Sequence, residues 1–222
     1  SSPQTIIIQK INAIPNLELP TTWHKQAMIR AVQQPYAFER FLKNYHLLEL
    51  LFDWQLVQTI KSLGDDLQSA IKEVANYRKD DIERLKSILR LKCNNTDKLA
   101  KRLDSIKTFL PIAKEIFYTH GKPSNPLTKG ENELQEIIDG GGFTDNENLK
   151  NCKISKKVNT QELYSKFITD LSAYWIYRVR CSIAHHKIGE YLMSPSDEQF
   201  MVEFAEPLLK EVLIQCFTRN TP

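Results

Sequence analysis

The chain of 222 residues is 41% hydrophobic and 26% charged, a balance that supports one core of ordinary domain size and excludes disorder or a collagen-like repeat for the whole. A net charge of +3 is compatible with an anionic partner but falls short of the footprint of a dedicated duplex-DNA binder. Four cysteines, Cys93, Cys152, Cys181 and Cys216, stand far apart without a Cys-x-x-Cys pair, so neither a disulfide framework nor a zinc knuckle is expected, and a reducing, cytoplasmic setting suits them.

Residues 1–22, with Pro15 and Pro20 and no sustained period, read as an arm or linker in which only Thr5–Ile8 is compatible with a strand; residues 23–222 read as one helical domain. Trp23 to Gln34 has a short helical pattern stopped by Pro35. From Tyr36 to about Ser62, Phe38, Phe41, Tyr45, Leu48, Phe52 and Leu56 recur at three- and four-residue steps and predict a helix with one buried face. After Gly64, Asp65-Asp66 can cap a third helix through Arg90 carrying Leu67, Ile71, Val74, Ile82, Leu85 and Leu89. A fourth, from about Thr96, holds Leu99, Leu103, Ile106 and Phe109 before Pro111.

Between Arg84 and Lys107 there are eight Lys/Arg against Asp97 and Asp104, the densest positive charge in the chain, with Lys150, Lys153, Lys156 and Lys157 as a second basic patch. A solvated helical face accounts for either more readily than an anion-binding surface does. Five of the seven glycines lie between Gly121 and Gly142, with Pro123 and Pro126, so residues 119–159 read as one long irregular loop. Two further stripes follow, Leu163 to Trp175 and Phe200, Phe204, Leu208 and Val212, the second kinked or divided by Pro207. The expectation is all-α, a bundle of about five helices. Apolar runs are too short for a membrane span of roughly 18–20 residues, so no membrane partner is expected.

Phosphate-loop, dinucleotide-binding and zincin motifs are all missing, which removes the chemistries that depend on them. What remains is the run Tyr177-Arg178-Val179-Arg180-Cys181-Ser182-Ile183-Ala184-His185-His186-Lys187. On generic grounds His185 suits a helix C-terminus, where an imidazolium complements the dipole without any catalysis. Glu49 lies at the edge of the stripe formed by Phe38, Tyr45 and Leu56, so its carboxylate leaves bulk water and needs a cationic partner.

Arg180-Cys-Ser-Ile-Ala-His185, at the end of an aromatic-rich helix and before a last amphipathic one, resembles the Arg-x(4–6)-His motif of the HEPN superfamily. The Phe41-to-Phe52 segment is similar to the HEPN helix that carries an inward acidic residue, here Glu49. The resemblance spans Tyr36 to Arg219 and is closest to HEPN domains of bacterial anti-phage defence proteins. It implies a HEPN-like bundle and a metal-independent endoribonuclease, a defence or toxin effector, acting as a homodimer on single-stranded or tRNA-like RNA. It also implies no cofactor, and flanking domains in a longer parent chain are compatible with it. In that reading His185 moves the 2′-OH proton, Arg180 clamps the phosphate and Glu49 orients Arg180, with Arg178, His186 and Lys187 beside the substrate.

Five residues advance an uninterrupted helix by about 500°, so Arg180 and His185 point roughly 140° apart; either the helix deforms or the site is composed across two chains. Arg178, seven positions before His185 and on nearly its face, competes as the motif arginine. Cys181 stands where the family often has asparagine, and Lys187 where one toxin branch has tyrosine. The alternative from another class is a non-catalytic HEPN-like module for dimerisation, nucleotide binding or partner recruitment.

Overall fold

The computed structural model describes residues 16–76, 81–127, 132–152, 158–184 and 191–218. The Thr5–Ile8 run falls outside them. Among the described residues there is no β-strand, only an isolated antiparallel bridge between Leu17 and Thr218 that ties the start of the described chain to its end.

Helix α1 (Thr22–Val32) begins where Thr21 Oγ1 accepts the His24 N–H. Helix α2 (Ala37–Ser62) runs 26 residues because neither proline nor glycine interrupts it, and it stops where Gly64 takes the left-handed conformation at φ +57°. Phe41, Tyr45, Leu48 and Phe52 are buried at the expected spacing, while Phe38 and Leu56 are half-buried at the margin.

The stretch expected to form a third helix is described as α3 (Leu67–Asn76) and α4 (Asp81–Lys92). Ile82, Leu85 and Leu89 enter the core as expected; Leu67, Ile71 and Val74 do not, standing 71, 68 and 57% exposed. Helix α3 packs against α2 alone among its closer neighbours, and nothing described covers its apolar stripe. Helix α5 (Thr96–Leu103), capped by Asn95, passes through a tighter turn (Asp104–Phe109) into α6 (Leu110–Lys114), with Pro111 in the first turn, where its missing N–H costs nothing.

The expected long loop is not structureless. It contains α7 (Asn132–Asp139) and α8 (Asn146–Asn151), which bury Leu134, Ile137 and Leu149. Gly142, at φ +90°, turns the chain against Asp104, where a β-carbon would collide with the carboxylate. Asp104 in turn accepts the Phe143 N–H and, at 2.7 Å, the Thr144 hydroxyl. The excursion is thus pinned at its glycine turn.

Helix α9 (Gln161–Ala184) is the axis of the bundle: every residue from Leu171 to Ile176 is buried, the pattern of a helix covered on all sides. Helices α2, α4 and α5 pack on it. Trp175 sits against Phe117 and Phe204, with ring centroids 4.2 and 5.2 Å away. The last stripe is divided as Pro207 requires: α10 (Glu198–Phe200), a wide turn (Met201–Ala205), then α11 (Glu206–Phe217) with Pro207 in its first turn, packed on α2 and α5. No described helix is long and apolar enough to cross a membrane.

One buried group makes this packing pH-sensitive. His24 is enclosed, its ring edge-on to Phe217 at 5.6 Å; Nδ1 lies 2.8 Å from Thr21 Oγ1, and Nε2 has no hydrogen-bond partner. Burial holds the imidazole below its ordinary value. The unfolded chain therefore takes up the proton first, so the His24 contribution is complete above about pH 6.5 and is lost as pH falls below it. Urea denaturation midpoints should decline between about pH 7.5 and 5.5, and His24→Gln, neutral throughout, should flatten that part of the profile.

Candidate functional site

Arg180, one turn before the end of α9, reaches toward α2 and α4 and meets a carboxylate from each. Its Nη2 donates to Glu49 Oε1 at 3.5 Å and stands 4.0 Å from Asp81 Oδ2, with the guanidinium over the Tyr45 ring at 5.6 Å. The Arg180–Glu49 contact expected from the sequence is therefore present across 131 residues of chain. Burial opposes the charge on Arg180, but Tyr45, Cys181, Glu49 and Asp81 outweigh it, and its pKa rises. For Glu49, burial pushes the carboxyl up, yet the His46 imidazole and then the Arg180 guanidinium prevail and hold it below the usual carboxylate range.

His46, three residues before Glu49 and hence one turn away on the same face, completes the arrangement. Its Nδ1 lies 2.5 Å from Glu49 Oε2. An ionised carboxylate only accepts, so the hydrogen sits on Nδ1, and in the neutral ring Nε2 is the basic nitrogen. The imidazole is exposed and the guanidinium mostly covered, at 55 and 19%. One carboxylate thus links a titratable ring at the surface to a permanent cation beneath. The network extends inward: Asp81 also accepts from Arg84 Nη2 at 3.0 Å, and that guanidinium lies 5.8 Å from the centre of the Phe52 ring.

Sequence reasoning named Arg180 and Glu49 and missed His46 and Asp81. The i, i+3 spacing of His46 and Glu49 was a usable signal; no local pattern points to Asp81, which only the packing of α4 on α9 brings in. His185, His186 and Lys187 follow directly on Ala184, the last residue of α9, and lie outside the described residues.

Arg178 goes elsewhere. It is 1% exposed and its Nη2 donates to the His120 carbonyl at 2.8 Å, on the opposite side of α9 from Arg180. Near it Tyr174 OH accepts the Lys122 N–H at 2.9 Å, and farther along α9 Tyr164 OH donates to the Phe143 carbonyl at 3.0 Å. The place expected for Arg178 beside a substrate is thus taken by a contact that fastens the excursion to the axis.

Three cations of the basic stretch are committed as well. Arg90 makes a two-pronged contact with Asp170 at 2.7 and 2.6 Å, Lys86 pairs with Glu83 at 3.0 Å, and Arg84 with Asp81. In the second patch Lys150 pairs with Glu147, while Lys153, Lys156 and Lys157 fall outside the described residues. Among the described residues no group of three or more His, Cys, Asp or Glu is placed to hold a metal ion. Compared with protein-family models, curated proteins and solved structures, the chain matches none.

These placements separate the two arginines experimentally. Arg178→Ala should cost about 2–3 kcal/mol of stability by urea denaturation, because it strands a carbonyl and opens the core. In a double-mutant cycle, Arg180→Ala and Glu49→Ala should couple by about 0.5–1 kcal/mol, and Arg178→Ala with Glu49→Ala should be additive.

Proposed function

We propose that the chain is a HEPN-like ribonuclease that cuts RNA without a metal ion, with Arg180 as its phosphate clamp and Glu49 as the carboxylate that positions it. The observation that carries this reading is the Glu49 carboxylate shared between the Arg180 guanidinium and the His46 imidazole. It supplies, next to one another, a permanent cation able to bind phosphate and an imidazole able to give or take a proton.

The chemistry has two proton transfers. A base takes the 2′-OH proton as that oxygen bonds to phosphorus; the bond from phosphorus to the 5′-oxygen breaks, and an acid returns a proton to the leaving oxygen. The products are a 2′,3′-cyclic phosphate and a free 5′-OH. Two imidazoles suit these roles: His185, next after α9, and His46, with Nε2 the basic nitrogen. Arg180 stabilises the charge that builds on the phosphate. A homodimer brings the His185 of one chain to the Arg180 of its partner, answering the roughly 140° that separates them on a regular helix.

A non-catalytic interaction module is the second reading. The exposed stripe of Leu67, Ile71 and Val74 on α3 favours it, since an uncovered apolar helix face is what a recruiting surface presents.

Incubation of single-stranded RNA with purified chain and EDTA discriminates the two. The ribonuclease reading expects fragments ending in 2′,3′-cyclic phosphate, abolished by His185→Ala and slowed about 10²–10³-fold by Arg180→Ala, with helix content unchanged. Intact RNA under these conditions, or cleavage that survives both substitutions, refutes it.

A further inference from the structure

Helices α1 and α2 enclose a cleft of about 500 Å³ that opens beside Glu49 and His46. Along α2 its wall carries Lys43, His46, Glu49 and Asp53; along α1 it carries Trp23, Gln26 and Arg30. Seven residues bring an α-helix nearly back to its starting direction, so Trp23 and Arg30 share one face of α1, two turns apart.

Trp23 is 71% exposed, and among the described residues its ring makes no aromatic or cation–π contact. An indole so placed adds little to folding, because its apolar area stays in water. The cations of the cleft are equally uncommitted: neither Arg30 nor Lys43 is held in an ion pair among the described residues. Of the carboxylates in the cleft, Glu49 is engaged by His46 and Arg180, and Asp53 also has a partner. What the cleft offers a ligand, among the described residues, is an uncovered aromatic plane and two cations outside any ion pair.

That combination matches one chemical class. A duplex keeps its base faces stacked inside, whereas an unpaired nucleotide presents both a flat base and a phosphate, and aromatic side chains with Lys/Arg are how proteins hold such strands. We propose that the α1/α2 cleft is a base-stacking subsite for a single RNA strand: Trp23 stacks on an unpaired base, while Arg30 and Lys43 bind the flanking phosphates. The strand so held passes His46 and Glu49, which selects unpaired RNA at the point where Arg180 is positioned. This subsite rests on the ribonuclease reading for its purpose, though not for its ability to bind.

The test uses the full chain carrying His185→Ala, a single-stranded oligoribonucleotide, the same sequence as a duplex, and EDTA. Trp175 is buried and Trp54 half-buried, so quenching of indole fluorescence reports mainly on Trp23. Binding of the single strand should quench the signal; by anisotropy of an end-labelled strand, Trp23→Ala should weaken binding about tenfold, and Trp23→Phe, which keeps a stacking plane, by no more than about threefold. The double variant Arg30→Ser/Lys43→Ser should lower the slope of log affinity against log salt by about 1.4, two phosphate contacts at about 0.7 each.

A helical Trp23→Ala protein that binds the strand within about twofold of its parent overturns the proposal, as does equal affinity for the duplex. So does the finding that Trp23 instead mediates association of the chain with itself. The two readings fail separately. Trp23-dependent binding by a wild-type chain that never cuts RNA leaves the subsite standing and removes the nuclease; undiminished cutting of a single strand by Trp23→Ala does the reverse.

Discussion

A guanidinium largely withdrawn from water at the end of the central helix must be met by carboxylate, and in this bundle it is met from two directions. Glu49 reaches Arg180 from α2 and Asp81 from α4. Removing either acid would leave the mostly covered cation to the other acid alone, at the modest cost of a partly exposed ion pair. The three helices are therefore fixed by polar contacts at this end and by packing of Tyr45, Leu48, Leu85 and Leu89 farther in. Structural need and the candidate chemistry fall on the same side chains, so the site is carried by helices and not by loops.

Helix α9 distributes two tasks through two arginines separated by a single valine. Residues two apart differ by about 200° around a helix, so Arg178 and Arg180 face opposite neighbours. Arg178, with Tyr164 and Tyr174, holds the excursion that contains α7 and α8; Arg180 holds α2 and α4. The contact also accounts for the one charged side chain among the described buried residues of α9: its donor satisfies the His120 carbonyl.

Much of this was legible in advance because its signals are periodic. The stripe of α2, the aromatic run of α9 and the break at Pro207 follow from 3.6-residue spacing and from the absent N–H of proline. Glu49 was readable because an acid beside an apolar stripe needs a cation, and a resemblance indicated which one. What failed to show was whatever depends on a neighbour from a distant part of the chain. The period of Leu67, Ile71 and Val74 is as good as that of Ile82, Leu85 and Leu89, yet no described helix covers it. Glycine density between residues 121 and 142 correctly marked turns and concealed the short helices between them. The choice of Arg180 rested on the resemblance, against helix geometry that put Arg178 on nearly the face of His185, whereas their partners, His120 and Glu49, lie 58 and 131 residues away.

The looseness of the Arg180 contacts bears directly on the proposed role. Arg90 shows the other extreme: a fork on Asp170 at 2.7 and 2.6 Å, with two charge-assisted bonds that must be broken before the guanidinium can take a phosphate. Arg180 contacts its acids at 3.5 and 4.0 Å, close enough to be oriented and too far for bonds of that strength. Catalysis gains only from interactions stronger in the transition state than before it. Toward Glu49 and Asp81, a guanidinium at these distances gives up less on meeting the charge that grows on a phosphate during cleavage than one locked in a fork. On this argument Arg180, and not Arg84 or Arg90 paired on α4, suits the proposed action on an anion.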